Sequence, residues 1–351
     1  MSNEEQTLII LTPGFAASKE DSTCLPMQQH FIRTLKEIYP WMKIIILSFQ
    51  YPYHSNSYEW FDIKVIPFNG RNRGGLPGLL LREKIYAVLR NINRSNRVIG
   101  LLSFWYGECA LVGKRFAEKN KIKHYCWILG QDARKENKHP HKIPTKAGEL
   151  IALSDFLQDE FERNHHIRPG EVVTPGVAGK QQNSAGIPQI DLLAAGSLIP
   201  LKQFDIFIEV VAELKSKIPS LLAMLIGDGP ERDRLQQLVH EKGLSETIKL
   251  TGELPHHDVL KQMERARVFI HPSAYEGFGM VCLEALAGGC EVISFVKPMK
   301  KKITNWHIAQ YKQDMIQKAI ELLSVPNKPG NAVIVSTIEE TANSFRKLLG
   351  I

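Results

Sequence analysis

The stretch "HPSAYEGFGMVCLEALAGG", His271 to Gly289, places two glutamates around a Gly-Phe-Gly and a short apolar run. Gly277, Phe278 and Gly279 fall where a helix is expected to begin, with Met280 as its first residue. The unpaired backbone N–H groups and the dipole at such a start favour an anion such as phosphate. Lys202, in "GSLIPLKQF", offers a point charge to the same anion. Glu276, before the helix, and Glu284, inside it, suit phosphate poorly. Ionised carboxylates only accept hydrogen bonds, so both suit hydroxyl donors. A ligand with phosphate between two polyhydroxy groups satisfies all three features, and a nucleotide-sugar is such a ligand. The spacing alone also fits two surface charges on a helix and a plain glycine turn.

Other candidates share one position: each follows an expected strand. Gly14 ends "LIILTPG" and precedes a loop, where a glycine lets backbone approach a ligand. Ser197 and Lys202 follow "IDLLAAG", Gly227 to Gly229 follow "LLAMLI", and Gly252 to Leu254 follow "TIKL". The "GDGPERDR" segment lacks the third glycine of a dinucleotide fingerprint, so a tight turn explains it equally well.

These loops need strands to carry them. "TLIILTPG", "KIIILSFQ", "DIKVIPF", "RVIGLLSF", "HYCWILG" and "ELIALSD" are near-continuous apolar runs, as expected for strands of a parallel sheet buried on both faces. Helical stretches alternate with them. One opens at Pro26, and another has Ser154 as its cap. The same grammar restarts at "IDLLAAGSL" and includes a helix expected to open at Pro230. The chain therefore reads as α/β, with two Rossmann-like doubly wound domains facing across a cleft. The expected bounds are 1–178 and 179–335, with the last helix, 336–351, packing back on the first domain. The Gly-, Ser- and Gln-rich segment from Thr174 to Gln189 reads as the linker.

The chain has 351 residues and a net charge of +7. The excess lies partly between Gly70 and Arg97, where Glu83 is the one acidic residue, and partly in "KPMKKK". Basic patches attract anionic substrates or an anionic membrane. No nucleic-acid motif accompanies them, so nucleic acid is not an expected partner. The five cysteines form no C-x-x-C pair and read as free thiols. The histidines lack zinc-site spacing, so no metal site is expected. No apolar run approaches the roughly 18 residues of a membrane span. The N-terminus is polar and acidic, unlike a secretory signal. The expected location is the cytoplasm, with peripheral contact at the inner membrane face.

From Ala195 to Ile293 the sequence resembles the donor-binding domain of retaining glycosyltransferases of the two-domain GT-B architecture, group 1 or family 4 type. The matching motifs are "GSLIPLKQFDIFIEVVAEL", "LLAMLIGDGPERDRLQQL" and "IKLTGELPHHDVLKQMERARVFIHPSAYEGFGMVCLEALAGGCEVI". The first domain is similar only in grammar. The resemblance implies that Glu276 binds hydroxyls of the donor sugar and Glu284 the ribose. It implies that Lys202 contacts the diphosphate, together with backbone N–H groups near Phe278, Gly279 and Met280. The backbone at Leu254 would frame the nucleobase, and Gly14 would approach the phosphates from the first domain. Basic residues and a helix N-terminus would neutralise the leaving group without a metal or cofactor. Three segments depart from the family. Ser197 occupies the place of an arginine. Leu129-Gly130-Gln131-Asp132 occupies the place of a histidine-glycine pair, which puts Gln131 or Asp132 at the acceptor and sugar side. "VKPMKKKITNW" replaces a glycine-pair loop and its glutamate.

The expected function is retaining transfer of a sugar from a nucleotide-sugar donor to a glycan or lipid-linked acceptor, in cell-surface polysaccharide or glycoconjugate synthesis. Two alternatives stay open: a non-catalytic nucleotide-sugar-binding module, and a non-hydrolysing nucleotide-sugar epimerase.

Overall fold

The structure is a computed structural model and describes residues 6–178 and 186–350. Of the expected linker, 179–185 lies outside the described residues. The chain divides into two compact units, Met1–Pro175 with Ile338–Ile351, and Gly176–Thr337.

In unit 1 the elements run β1 (Gln6–Gly14), α1 (Pro26–Ile38), β2 (Lys43–Tyr51), β3 (Tyr58–Trp60), β4 (Ile63–Pro67), α2 (Gly75–Ser95), β5 (Arg97–Phe104), α3 (Glu108–Asn120), β6 (His124–Ile128), β7 (Leu150–Ala152), α4 (Asp155–His165) and β8 (Glu171–Val172). The strand order is β3-β4-β2-β1-β5-β6-β7-β8. All pairs are parallel except β3 with β4. β1 and β2 each bury a continuous run of six of their nine residues, which accounts for their unbroken apolar runs. Pro26 is in the first turn of α1, and Ser154 caps α4 by accepting from the Leu157 N–H at 3.0 Å.

Unit 2 runs β9 (Ile190–Ala195), α5 (Phe204–Lys215), β10 (Ala223–Ile226), α6 (Arg232–Glu241), β11 (Ile248–Leu250), α7 (His256–Glu264), β12 (Ala266–His271), α8 (Met280–Ala287), β13 (Glu291–Ser294), β14 (Trp306–Ile308) and α9 (Lys312–Ser324). The order is β11-β10-β9-β12-β13-β14, parallel throughout. This is the doubly wound order in which the chain reverses direction across the sheet between β9 and β12. Ligands bind beyond the carboxyl ends of strands at such a switch point. In unit 1 the reversal lies between β1 and β5.

Two details differ from the sequence reading. α6 opens at Arg232, not Pro230, because the Glu231 N–H is held by the Leu198 carbonyl at 2.9 Å in the preceding turn. β3 and β14, three residues each, and β8, two residues, carry too little periodicity to be read from sequence.

The last helix, α10 (Ile338–Leu349), belongs to unit 1 and packs on α1. Phe345 is 1% exposed, with its ring 4.8 Å from Phe31 and 4.7 Å from Trp127. Lys123 and Tyr125 donate to the carbonyls of Leu349 and Leu348 at 2.8 and 2.7 Å, covering acceptors that a helix end leaves free. Phe345→Ala should destabilise unit 1 by about 3–5 kcal/mol through the cavity it leaves. Chemical denaturation followed at the unit 1 tryptophans measures this, and an unchanged midpoint would refute the anchoring role.

Candidate active site

In unit 2 the strand ends meet where β9 and β12 diverge. Lys202 ends a 3-10 turn, Pro200–Lys202, after β9. The Leu201 carbonyl accepts from the Ala274 N–H at 3.0 Å and the Ser273 hydroxyl at 3.3 Å. That staple joins the Lys202 turn to the loop carrying Glu276. Lys202 Nζ donates to Glu276 Oε1 as an ion pair, with both side chains 19% exposed. His271, the last residue of β12, places Nε2 3.1 Å from the same oxygen. Burial would push the Glu276 carboxyl up, but the His271 hydrogen bond and the Lys202 charge hold it down at about 2. Burial lowers the pKa of His271 despite Glu276.

Beyond Glu276, Gly279 takes a left-handed conformation, φ +91°, and Met280 opens α8. A side chain at Gly279 would be strained there. Phe278 is buried with its ring 6.0 Å from Trp306, which fixes the loop beneath the helix start. Glu284 lies one turn into α8 and contacts His256 Nε2 at 2.8 Å. That hydrogen bond raises the pKa of His256 against the effect of burial. Leu254 is half-buried in the loop before α7.

Ser197 is exposed just after β9. Gly196, Gly227 and Gly229 form the backbone contact around it. A Cβ at Gly227 would lie 1.9 Å from the Gly196 carbonyl oxygen, and one at Gly229 2.6 Å from that of Leu198. These glycines are required by backbone packing. Asp228 pairs with Arg232 at 2.7 Å. The "KPMKKK" segment lines a separate pocket of about 390 Å³ with Lys297, Lys301, Lys302, Lys318, Met299 and Trp306.

Unit 1 has a pocket of about 540 Å³ at its own switch point, lined by Pro13, Phe49, Trp105, Glu108, Gln131 and His139 among others. Gly14 lies at the end of β1 beside it in sequence. An added Cβ there would meet only ordinary contacts, so packing within unit 1 does not demand glycine. Gln131 is exposed and lines the pocket. Asp132 is buried, and its carboxylate accepts from the Leu129 N–H at 2.8 Å and from the Tyr106 amide. Burial raises its pKa to about 7 despite these bonds. The carboxylate therefore shapes the loop.

Sequence reasoning missed several residues. His271 and His256 hold the two glutamates. In unit 1, Glu108 is gripped by Arg82 at 2.7 and 2.6 Å, with His139 Nε2 3.9 Å away. His139 and Arg82, against burial, hold its carboxyl at about 2. Trp105 has φ +66°, which a bulky residue adopts only when its surroundings impose it. His271 had a signal, since it ends a buried strand five residues before Glu276. His256, Arg82 and His139 depend on contacts across 26 residues or more and had none, and the φ of Trp105 leaves no mark in the sequence.

Residues 180–331 match the family model of glycosyl transferases, group 1. Unit 2 is a group 1 glycosyl transferase domain. The uncharacterized glycosyltransferase MJ1178 of Methanocaldococcus jannaschii is 25% identical over 76% of this chain and 73% of its own length. The uncharacterized glycosyltransferase YqgM of Bacillus subtilis is 26% identical over 44% of this chain and 45% of its own. The 2-deoxystreptamine N-acetyl-D-glucosaminyltransferase of Niallia circulans is 31% identical over 29% and 26%. The chain thus spans less than half the length of the latter two. Among solved structures, the Anabaena protein HepE in complex with UDP and glucose is 16% identical, with a TM-score of 0.65 over 96% of this chain and 95% of that one. The lipopolysaccharide outer core galactosyltransferase WaaB, 16% identical, gives 0.66 over 98% and 95%. These likenesses show the fold of the group 1 domain and its partner unit, two parallel-sheet Rossmann-like domains of the GT-B type.

The hydrogen bond to Glu284 raises the pKa of His256. A raised folded-state pKa means the pair stabilises fully below the unfolded histidine value, about 6.5. That contribution is lost as pH rises through the folded value. NMR titration of His256 should give a midpoint above 6.5, and Glu284→Gln should return it toward or below that value. An unshifted midpoint in the unsubstituted protein would remove the pair.

Proposed function

We propose that the protein transfers a sugar from a nucleoside diphosphate donor to a glycan or lipid-linked acceptor, with retention at the anomeric carbon. The observation that carries this reading is the Lys202–Glu276–His271 cluster beside the open N-terminus of α8. A diphosphate seated at the helix start meets backbone N–H groups and the helix dipole. Lys202 reaches the same place with a positive charge. Glu276, ionised by its neighbours, accepts from donor-sugar hydroxyls, and Glu284 accepts from the ribose. Leu254 lies in the unit 2 loop that would border the nucleobase, and Ser197 would border the phosphates. Phe278, Gly277 and Gly279 set the path of the backbone.

As the glycosidic bond breaks, negative charge grows on the leaving diphosphate. Fixed donors placed where charge develops lower the barrier. A leaving phosphate held on that face is also the base for the acceptor hydroxyl, which accounts for retention. Positive charge from Lys202 and α8 performs the neutralisation that metal-dependent enzymes assign to an ion. Because the Anabaena protein binds UDP, uridine nucleotides are the first donors to try. N-acetylglucosamine recurs among the relatives' names and is the first sugar. The expected setting is polysaccharide or glycoconjugate synthesis in the cytoplasm.

Lys202→Ala and Glu276→Gln should each lower the turnover number by about 10²–10³ with the fold intact. Circular dichroism and a donor-consumption assay with uridine diphosphate sugars check this. Near-normal turnover in folded Glu276→Gln protein would sink the assignment. A protein that binds uridine diphosphate by calorimetry but never turns over would favour a binding module, a reading that Ser197 in place of arginine motivates.

A further inference from the structure

The connection between β13 and β14 is a part of unit 2 that the site leaves unused. Parallel neighbours are usually joined by a helix. Residues 295–305 join these two without one. Ser294 holds both ends of the connection. Its hydroxyl donates to the Val296 carbonyl at 2.8 Å and accepts from Trp306 Nε1 at 2.8 Å. The Trp306 N–H donates to the Ile303 carbonyl at 3.3 Å, and the Val292 N–H to the Asn305 carbonyl at 2.8 Å. The connection is thus held in shape by its own bonds, and with Lys318 of α9 it lines the pocket of about 390 Å³. That volume is within the range of small-molecule sites.

The pocket has a rim of one sign and an apolar floor. Between Glu291 and Asp314 the chain has five lysines and no acidic residue. Lys297, Lys301 and Lys302 are exposed and line the pocket. Two lining residues pair with carboxylates, Lys318 with Glu321 and His307 with Glu291 at 2.7 Å, so both acids are engaged. Lysine is a point charge on a flexible stem, so such a rim selects charge density, not the planar shape that an arginine fork reads. Beneath it Pro298 and Trp306 are buried, and Met299 and Ile303 are half-buried. Methionine adapts to the shape it meets. Cations above an apolar floor match an anion with an organic body.

Trp306 also backs the turn before α8. The Phe278 ring lies 6.0 Å from it, and a Cβ at Gly279 would lie 3.8 Å from its Cη2. Lys202, Glu276 and Met280 are not among the residues that line the pocket. We propose that the pocket is a second anion site of unit 2, separate from the start of α8, that binds a small phosphate ester. Its phosphate meets Lys297, Lys301 and Lys302, and its organic part rests on Met299 and Ile303. Such a site does not depend on the glycosyl-transfer reading.

Calorimetry on the full chain tests it, with phenyl phosphate as the probe. Phenyl phosphate should bind at least about fivefold more tightly than inorganic phosphate, because its ring is removed from water. Lys301→Ser/Lys302→Ser should weaken that binding at least about tenfold through the lost charged contacts. Both positions are exposed, and circular dichroism should show the fold unchanged. Lys202→Ala should leave the affinity for phenyl phosphate as it is in the parent. A parent that binds no phenyl phosphate, equal affinity for the two anions, or a double variant that binds like the parent overturns the proposal. So does loss of binding in Lys202→Ala, which would place the anion at the start of α8. Uridine diphosphate titrated into the same proteins keeps the two readings apart. Binding of phenyl phosphate without uridine diphosphate keeps the pocket and removes the glycosyl-transfer reading. Binding of uridine diphosphate without phenyl phosphate does the reverse.

Discussion

A buried carboxylate has to be paired, and Glu276 is the group on which the site of unit 2 depends. Its side chain is 19% exposed and ionised. Left alone, such a charge would cost several kcal/mol in desolvation or take up a proton. Lys202 and His271 prevent both. Their contacts lock two strand-end loops together, and the Leu201 carbonyl locks them again through Ser273 and Ala274. The cluster is preorganised before a ligand arrives, which lowers the ordering cost of binding. The same pairing sets a condition on binding. Any group that binds there must share an oxygen acceptor that lysine and histidine already use.

Around that cluster the backbone is packed as tightly as glycine permits. The turns after β9 and β10 cross where Gly227 meets the Gly196 carbonyl, and no side chain fits between them. This explains the "GDG" motif without a ligand. The glycines bring the ends of β9 and β10 close enough for the loop of Ser197 to sit against that of Asp228, whose carbonyl accepts from the Leu198 N–H at 2.9 Å. Gly279 combines a left-handed φ with a position immediately before α8. Glycines in one domain therefore act in two ways, some by closing the strand ends and one by turning the chain into α8.

Much of this was legible in the sequence, for a physical reason. Parallel strands buried on both faces give unbroken apolar runs, and helices between them give a clear change of period, so the longer elements could be placed. Glu276, Lys202 and the Gly-Phe-Gly turn could be picked out because each lies next to such a strand. The pairing of Lys202 with Glu276 could not. Lys202 and Glu276 are 74 residues apart, and Arg82 and Glu108 are 26 apart. Nothing in residue spacing reports a contact made by folding the sheet. Asp132 lines the unit 1 pocket beside Gln131. A polar residue at a strand end looks available, yet its carboxylate is turned onto the amides of Leu129 and Tyr106.

The two units share one architecture but use their switch points differently. In unit 2 the space beyond β9 and β12 is governed by a charged pair and a helix start. In unit 1 the corresponding space is a pocket with a strained tryptophan, amides and an internally neutralised Glu108. A carboxylate held by a two-pronged guanidinium has little charge left to offer a cation. It still presents lone pairs to hydroxyls. Trp105, held by its N–H to the Trp127 carbonyl at 3.2 Å, presents an aromatic wall. Aromatic surface with neutral or neutralised acceptors suits a sugar ring better than a phosphate. The difference between the two switch points lies in which strand-end residues are paired with each other: Lys202 with Glu276 in unit 2, and Arg82 with Glu108 in unit 1.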